Sequence, residues 1–196
     1  PLYISFVDAV KFHPRCQHVP VEIMEAMIGL PEDIRNITKE LFSDMIGAYE
    51  SVEGLAEWAP FPTVFQGGVT SAPKCRLLMN ALAEAIALVD VGVRTWSGQL
   101  ADGRTVAQYI FADDLAGLNL TSKGARKFNF IVGVWAAVFG HSVGIKGIDK
   151  CAMGSVEFDP ITGEARLPAG PPFGFPDGSV MPSLELWQVY AYLGFR

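Results

Sequence analysis

Apolar residues in this chain recur with two different periods, and the switches between them mark its elements. Leu2 to Val7 is a β-rich apolar run that stops at Asp8, which predicts a buried strand ending in a carboxylate. Gln108 to Leu118 reads QYIFADDLAGL: Tyr109-Ile110-Phe111 halts at the adjacent acids Asp113 and Asp114, and Leu115-Ala116 then leads to Gly117. The expectation is strand, acidic tip, strand. Val91 to Trp96 and Thr105 to Phe111 flank Ala101-Asp102-Gly103-Arg104, a second hairpin signal. The acidic tip is therefore expected in a sheet of at least three sequential strands. Met153 to Phe158 and Glu164 to Leu167 flank Asp159-Pro160-Ile161-Thr162-Gly163 as a further hairpin, and Val189 to Phe195 reads as a last strand.

Helical spacing governs the remainder. Pro20 opens a helix through Met27, with Ile23, Met24 and Met27 on one face and Gly29 as its stop. Pro31, Glu32 and Asp33 restart a helix, the acids lying at the positive end of its dipole. Ile34, Ile37, Leu41 and Met45 give it an expected core face. Ser71-Ala72-Pro73 starts a long helix to Val89 with Leu77, Leu78, Ala81, Leu82, Ala85 and Ile86 inward. Ser122 is the expected cap of another, with Ala125, Phe128, Val132, Trp135 and Phe139 inward and Gly140 at its end. Lys11 to Pro14 is expected as a loop and Tyr49 to Phe61 as a hairpin edge, since Pro60 and Pro62 bar a central strand. Ser142 to Lys150 is Gly-punctuated and extended, and Ala169 to Gly178, rich in Pro and Gly, is irregular.

Composition narrows the class. The 196 residues suit one domain or a large piece of one, 50 % hydrophobic and only 18 % charged. The longest apolar run, Ile131 to Phe139, is short of membrane-spanning length. The start, Pro-Leu-Tyr-Ile, has neither Met nor the basic opening of a signal peptide, so both ends read as cut from a longer polypeptide. Cys16, Cys75 and Cys151 are odd in number and scattered, which argues for reduced core thiols in an intracellular protein rather than a disulfide framework. His13, His18 and His141 make no zinc pattern with them. A net charge of −6 gives no independent electrostatic sign of nucleic-acid binding.

The chemistry is concentrated in carboxylates. Asp113 and Asp114 side by side repel by about 4 kcal/mol at close range and intermediate dielectric. A solvated turn tolerates that, and a bare Asp-Asp is ordinarily such a turn. The flanks Ile-Phe-Ala and Leu-Ala-Gly-Leu favour a divalent cation instead. Asp8, taken alone, reads first as a residue capping the turn after its strand, and second as a ligand presented at a sheet edge. Gln66-Gly67-Gly68 ahead of the Ser71 helix allows close approach of main chain to a ligand. Its bland alternative is a plain loop before a capped core helix.

The order of these motifs resembles the palm of a reverse transcriptase, of the non-LTR retrotransposon and group II intron type. A strand ends in Asp; two helices follow; then come a QG-x-x-x-S loop, the FADD hairpin Phe111 to Asp114, a helix, a Gly-rich segment with Lys150, and the YLG of Tyr192, Leu193 and Gly194. The likeness spans Leu2 to Phe195. It implies an α+β fold, a polymerase palm with an antiparallel sheet of three or more strands packed on one face by helices. It further implies that residues 1–196 are a palm fragment without the N-terminal fingers part or the thumb, with a C-terminal hairpin and primer-grip region at 151–196.

The function that the resemblance implies is RNA-directed DNA polymerisation, a nucleotidyltransferase activity within a retroelement polyprotein, with the isolated fragment inactive. Asp8, Asp113 and Asp114 match the catalytic, metal-holding acids for two Mg²⁺ ions, with Mn²⁺ as substitute. Hard Mg²⁺ prefers oxygen ligands, which an Asp cluster without His or Cys supplies. Phe12, His13, Gln66, Gly67 and Lys150 match nucleotide-binding positions, and Tyr192, Leu193 and Gly194 the primer grip. Implied partners are an RNA template, a DNA primer, deoxynucleoside triphosphates and the missing fingers and thumb. No membrane is implied, and the location is the nucleus or cytoplasm. The chain departs from the family where a second acid follows the first: Pro14 stands there, with His13 at the sugar-gate position and Phe12 one earlier. Those changes favour the rival reading, a catalytically inactive scaffold that binds RNA or protein, whereas the retained acids favour the enzyme. A third reading, another phosphotransfer or cyclase domain with acids at strand ends, fits the QG loop and YLG end poorly.

Overall fold

The computed structural model describes residues 1–9, 12–43, 45–47, 50–51, 54–55, 59–60, 63–64, 70–89, 91–94, 105–111, 114–143, 151–168, 170–186 and 188. In chain order the elements are β1 (Leu2–Asp8), the single turn α1 (Phe12–Arg15), α2 (His18–Met27) and α3 (Glu32–Ser43). Four two-residue strands follow: β2 (Ile46–Gly47), β3 (Glu50–Ser51), β4 (Gly54–Leu55) and β5 (Ala59–Pro60). Then come α4 (Ser71–Ala87), β6 (Val93–Arg94), β7 (Thr105–Val106), β8 (Gln108–Phe111), β9 (Asp114–Asn119), α5 (Ser122–Phe139), β10 (Ala152–Phe158) and β11 (Ala165–Arg166). The chain divides into two units, one of Pro1–Val10 with Met79–Arg196 and one of Lys11–Leu78.

The first unit is built on a five-stranded antiparallel sheet in the order β11-β10-β1-β9-β8. β1 alternates along its length: Tyr3 and Val7, with Ser5, are buried, and the residues between them are half-buried. That period of two gives the strand one face against a core and one more open face. It occupies the middle of the sheet, pairing β9 from Tyr3↔Asn119 to Asp8↔Asp114 and β10 from Leu2↔Val156 to Phe6↔Ala152. Opposed residues share a face. Tyr3, Ser5 and Val7 therefore lie with Leu115, Gly117 and Asn119, and Phe6 and Asp8 lie with Ala116 and Asp114.

Helix α5 covers the first of these faces. Ala125, Phe128, Val132 and Trp135 are all buried, as their spacing predicts, and Phe139, expected with them, is half-buried. Gly117 is the close-contact point, because a Cβ there would overlap the Phe128 ring. The helix is capped by Thr121, not Ser122: the Thr121 hydroxyl accepts the Gly124 N–H at 3.0 Å. Gly140 ends it at φ 71°, a left-handed conformation suited to glycine.

The expected third partner of the acidic hairpin is corrected. β6 does not extend that sheet; it pairs β7 through Val93↔Val106 in a ladder of its own. The neighbour on the far side of β9 is β1, delivered from the start of the chain. The β10–β11 hairpin forms with the register Glu157↔Arg166, its turn held by the Asp159 carboxylate, which accepts N–H bonds from Ile161 and Thr162 at 2.8 and 2.9 Å. Residues 170–178 are irregular apart from a Gly174↔Val180 bridge, and the Arg126 guanidinium, 4.6 Å from the centre of the Phe173 ring, donates to the Pro171 and Pro172 carbonyls. The strand expected at Val189 to Phe195 lies outside the described residues.

In the second unit the helices form where expected, but their inward faces differ. On α2 the buried residues are Val21 and Glu25, while Ile23 and Met27 are exposed. No residue of α3 is buried, so the expected core face of Ile34, Ile37 and Leu41 is open. Phe12 to Arg15 form one helical turn instead of a loop. Lys74 of α4 pairs with Glu25 at 3.4 Å, both almost wholly buried. Among the described residues no helix is long and apolar enough to cross a membrane.

Candidate active site

The candidate centre arises where two apolar strands end in acids. Alternation along β1 puts Asp8 on the face opposite Val7, away from α5. β9 starts at Asp114 and runs antiparallel, so the entering and departing strands present carboxylates directly across from each other. Opposed residues in an antiparallel ladder have Cβ atoms about 4.5–5.5 Å apart. Both residues are half-buried. β8 closes the hairpin on the other side through Phe111↔Asp114.

The end of β1 is secured on its second edge as well. The ladder with β10 runs only to Phe6↔Ala152, and past it the Asp8 N–H donates to the Cys151 thiol sulfur at 3.3 Å. An Ala9↔Val143 bridge follows immediately. Sequence reading places Cys151 in the core, where it is, but nothing in its spacing marks it as a partner of a residue at the other end of the chain.

Two facing carboxylates offer hard oxygen donors. Mg²⁺ is held by one or two protein carboxylates together with water and substrate phosphates, so this donor set fits that ion. Among the described residues no group of three or more His, Cys, Asp or Glu gathers as a ligand set. Asp113, the third expected acid, lies outside the described residues. So do Gln66, Gly67, Lys150, Tyr192, Leu193 and Gly194. Phe12 is 2 % exposed at the start of α1, in the core of its own unit, and His13 follows it in the same turn.

Elsewhere on the first unit, two acids are held below the ordinary carboxylate range by hydrogen bonds. Asp159 is lowered mainly by the backbone N–H groups of Thr162 and Ile161. Asp177 is lowered by the hydroxyl and then the N–H of Ser179. Both belong to turns.

No protein-family model matches the chain, and no curated protein matches it. Solved structures do. The telomerase of Candida albicans, in complex with the TWJ fragment of telomeric RNA, aligns at a TM-score of 0.55 and 14 % identity over 83 % of this chain and 27 % of that one. The apo telomerase of Candida tropicalis, truncated from its C-terminal domain, aligns at 0.50 and 14 % identity over 85 % of this chain and 35 % of the other. The chain thus spans about a third or less of the telomerase chains it resembles. At that identity the likeness is one of fold. The fold is α+β, an antiparallel sheet backed by helices, and it matches these telomerase chains over most of this chain.

Proposed function

We propose that this chain is the palm of a reverse transcriptase from a retroelement and supplies the acidic corner for template-directed DNA synthesis. The single observation that carries the reading is the Asp8↔Asp114 register on the face of the sheet away from α5. The telomerase-like fold supports it, and the RNA in the Candida albicans complex supports a nucleic-acid partner in general. The other partners are a DNA primer, deoxynucleoside triphosphates and the fingers and thumb of the parent polyprotein, without which the fragment alone is inactive.

The chain's part in the reaction is positioning and charge. The register of β1 and β9 sets Asp8 and Asp114 on one face, and Asp113 would complete the set. Magnesium, when bound, supplies the positive charge that eases deprotonation of the primer hydroxyl and departure of pyrophosphate. Fixed carboxylates need no rearrangement as the reaction proceeds, which is the main advantage of a rigid sheet over a loop. Gln66 and Gly67 would pack against the incoming nucleotide and template, and Phe12 and His13 would meet its sugar. Lys150 would face the leaving group, and Tyr192, Leu193 and Gly194 would grip the primer.

The test is made in the full-length parent. Asp8→Asn, Asp113→Asn and Asp114→Asn should each abolish magnesium-dependent cDNA synthesis while leaving the thermal unfolding profile in place. Undiminished synthesis by Asp8→Asn removes the proposal. Absence of synthesis in the wild-type parent, with RNA binding intact, replaces it with the scaffold reading.

A further inference from the structure

Two of the three cysteines meet in the second unit. Cys16 follows α1 and Cys75 lies one turn into α4, and their sulfurs are 3.2 Å apart. Both are buried, at 0 % and 3 % exposure. Each is held from its own side. The Cys16 N–H and thiol both point at the Phe12 carbonyl, its own carbonyl accepts the Val64 N–H at 2.8 Å, and Gln17 bridges Thr63. Cys75 is fixed by α4, on whose inner face Leu78 is the next buried apolar residue of this unit. A disulfide has an S–S length of about 2.05 Å, so about 1 Å of approach separates the contact from a bond.

We propose that Cys16 and Cys75 are a redox modification site that closes to an intramolecular disulfide under hydrogen peroxide. One thiol reduces peroxide and becomes a sulfenic acid, releasing water. The second sulfur attacks the sulfenic sulfur; the S–S bond forms, the S–O bond breaks, and hydroxide leaves as water with the attacking thiol's proton. Two thiols lose two electrons, and the O–O bond of peroxide takes them. A resolving thiol already in contact outcompetes further oxidation of the sulfenic acid. Burial of both sulfurs restricts the reaction to a small oxidant. Cys151 is not part of the pair. It is buried beside the Asp8 backbone in the first unit, which makes it an internal control.

The experiment treats the folded full chain with hydrogen peroxide, removes the oxidant with catalase, alkylates with N-ethylmaleimide in denaturant and maps the peptides without reduction. The expected product is a Cys16–Cys75 cross-linked peptide that is lighter by two hydrogens, with Cys151 alkylated. Dithiothreitol restores the thiols, and the oxidised chain melts several degrees above the reduced one because a long loop is closed. In Cys16→Ser, Cys75 proceeds to the sulfinic acid instead. A folded chain that yields no such peptide, while the urea-unfolded chain cross-links, overturns the proposal. A native mixture of pairings that includes Cys151 overturns it equally. The map needs no variant and no polymerase activity, so its outcome is independent of the function proposed above.

Discussion

In α5, Ala125, Phe128, Val132 and Trp135 recur at helical spacing and every one is buried; in α3, Ile34, Ile37 and Leu41 recur at the same spacing and are 43 %, 54 % and 65 % exposed. Both helices carry an apolar stripe at helical spacing. What separates them is the surface opposite. α5 meets the middle strands of the sheet, where Gly117 leaves room for Phe128. α3 lies beside α2, which turns Val21 and Glu25 inward and leaves Ile23 and Met27 in the open. Periodicity therefore selects a face, and only a partner of matching shape makes that face a core.

The comparison can be broken or sharpened by substitution. Phe128→Ala should cost about 3–5 kcal/mol in denaturant unfolding, since it empties the contact between α5 and the sheet. Gly117→Ala should cost about 1–3 kcal/mol by forcing the same contact apart, with a smaller loss when combined with Phe128→Ala. Leu41→Ser should change stability by no more than about 0.5 kcal/mol. A loss as large as that of Phe128→Ala would show that α3 is covered after all and would erase the contrast. The smallest effect is expected at the β10–β11 turn. Asp159 is held below its ordinary 3.8 in the folded chain and has that ordinary value when unfolded. Its contribution is thus fully present above about pH 3.8 and fades as pH falls through the lowered value. An acid titration followed by circular dichroism should show Asp159→Asn losing less on acidification than the parent chain.

What could be read from residues alone was local. The β8–β9 hairpin, the face of α5, the Gly140 stop and the β10–β11 turn each rest on a few neighbouring positions, and each is where the pattern puts it. The cap of α5 is Thr121 and not Ser122 because both side chains carry a hydroxyl and the extended backbone of Thr121, which the residue type does not reveal, decides which one caps. The insertion of β1 between β9 and β10 was out of reach of any window, since its partners lie more than a hundred residues downstream. Asp8 and Asp114 were each visible as acids ending or starting an apolar run. That they oppose one another follows from the ladder, and before that only the order of motifs suggested a meeting.

Because the two acids sit on neighbouring strands of opposite direction, strand length in this region is a matter of parity. Add or remove one residue inside Leu2–Val7, or let β1 slide by one rung, and Asp8 turns over into the apolar layer beneath α5, while an uncharged neighbour takes its place at the rim. Even-numbered changes keep both acids outward; odd ones send a carboxylate where it has no water. The chain can vary the chemistry around this corner far more freely than it can vary the count of residues leading to it.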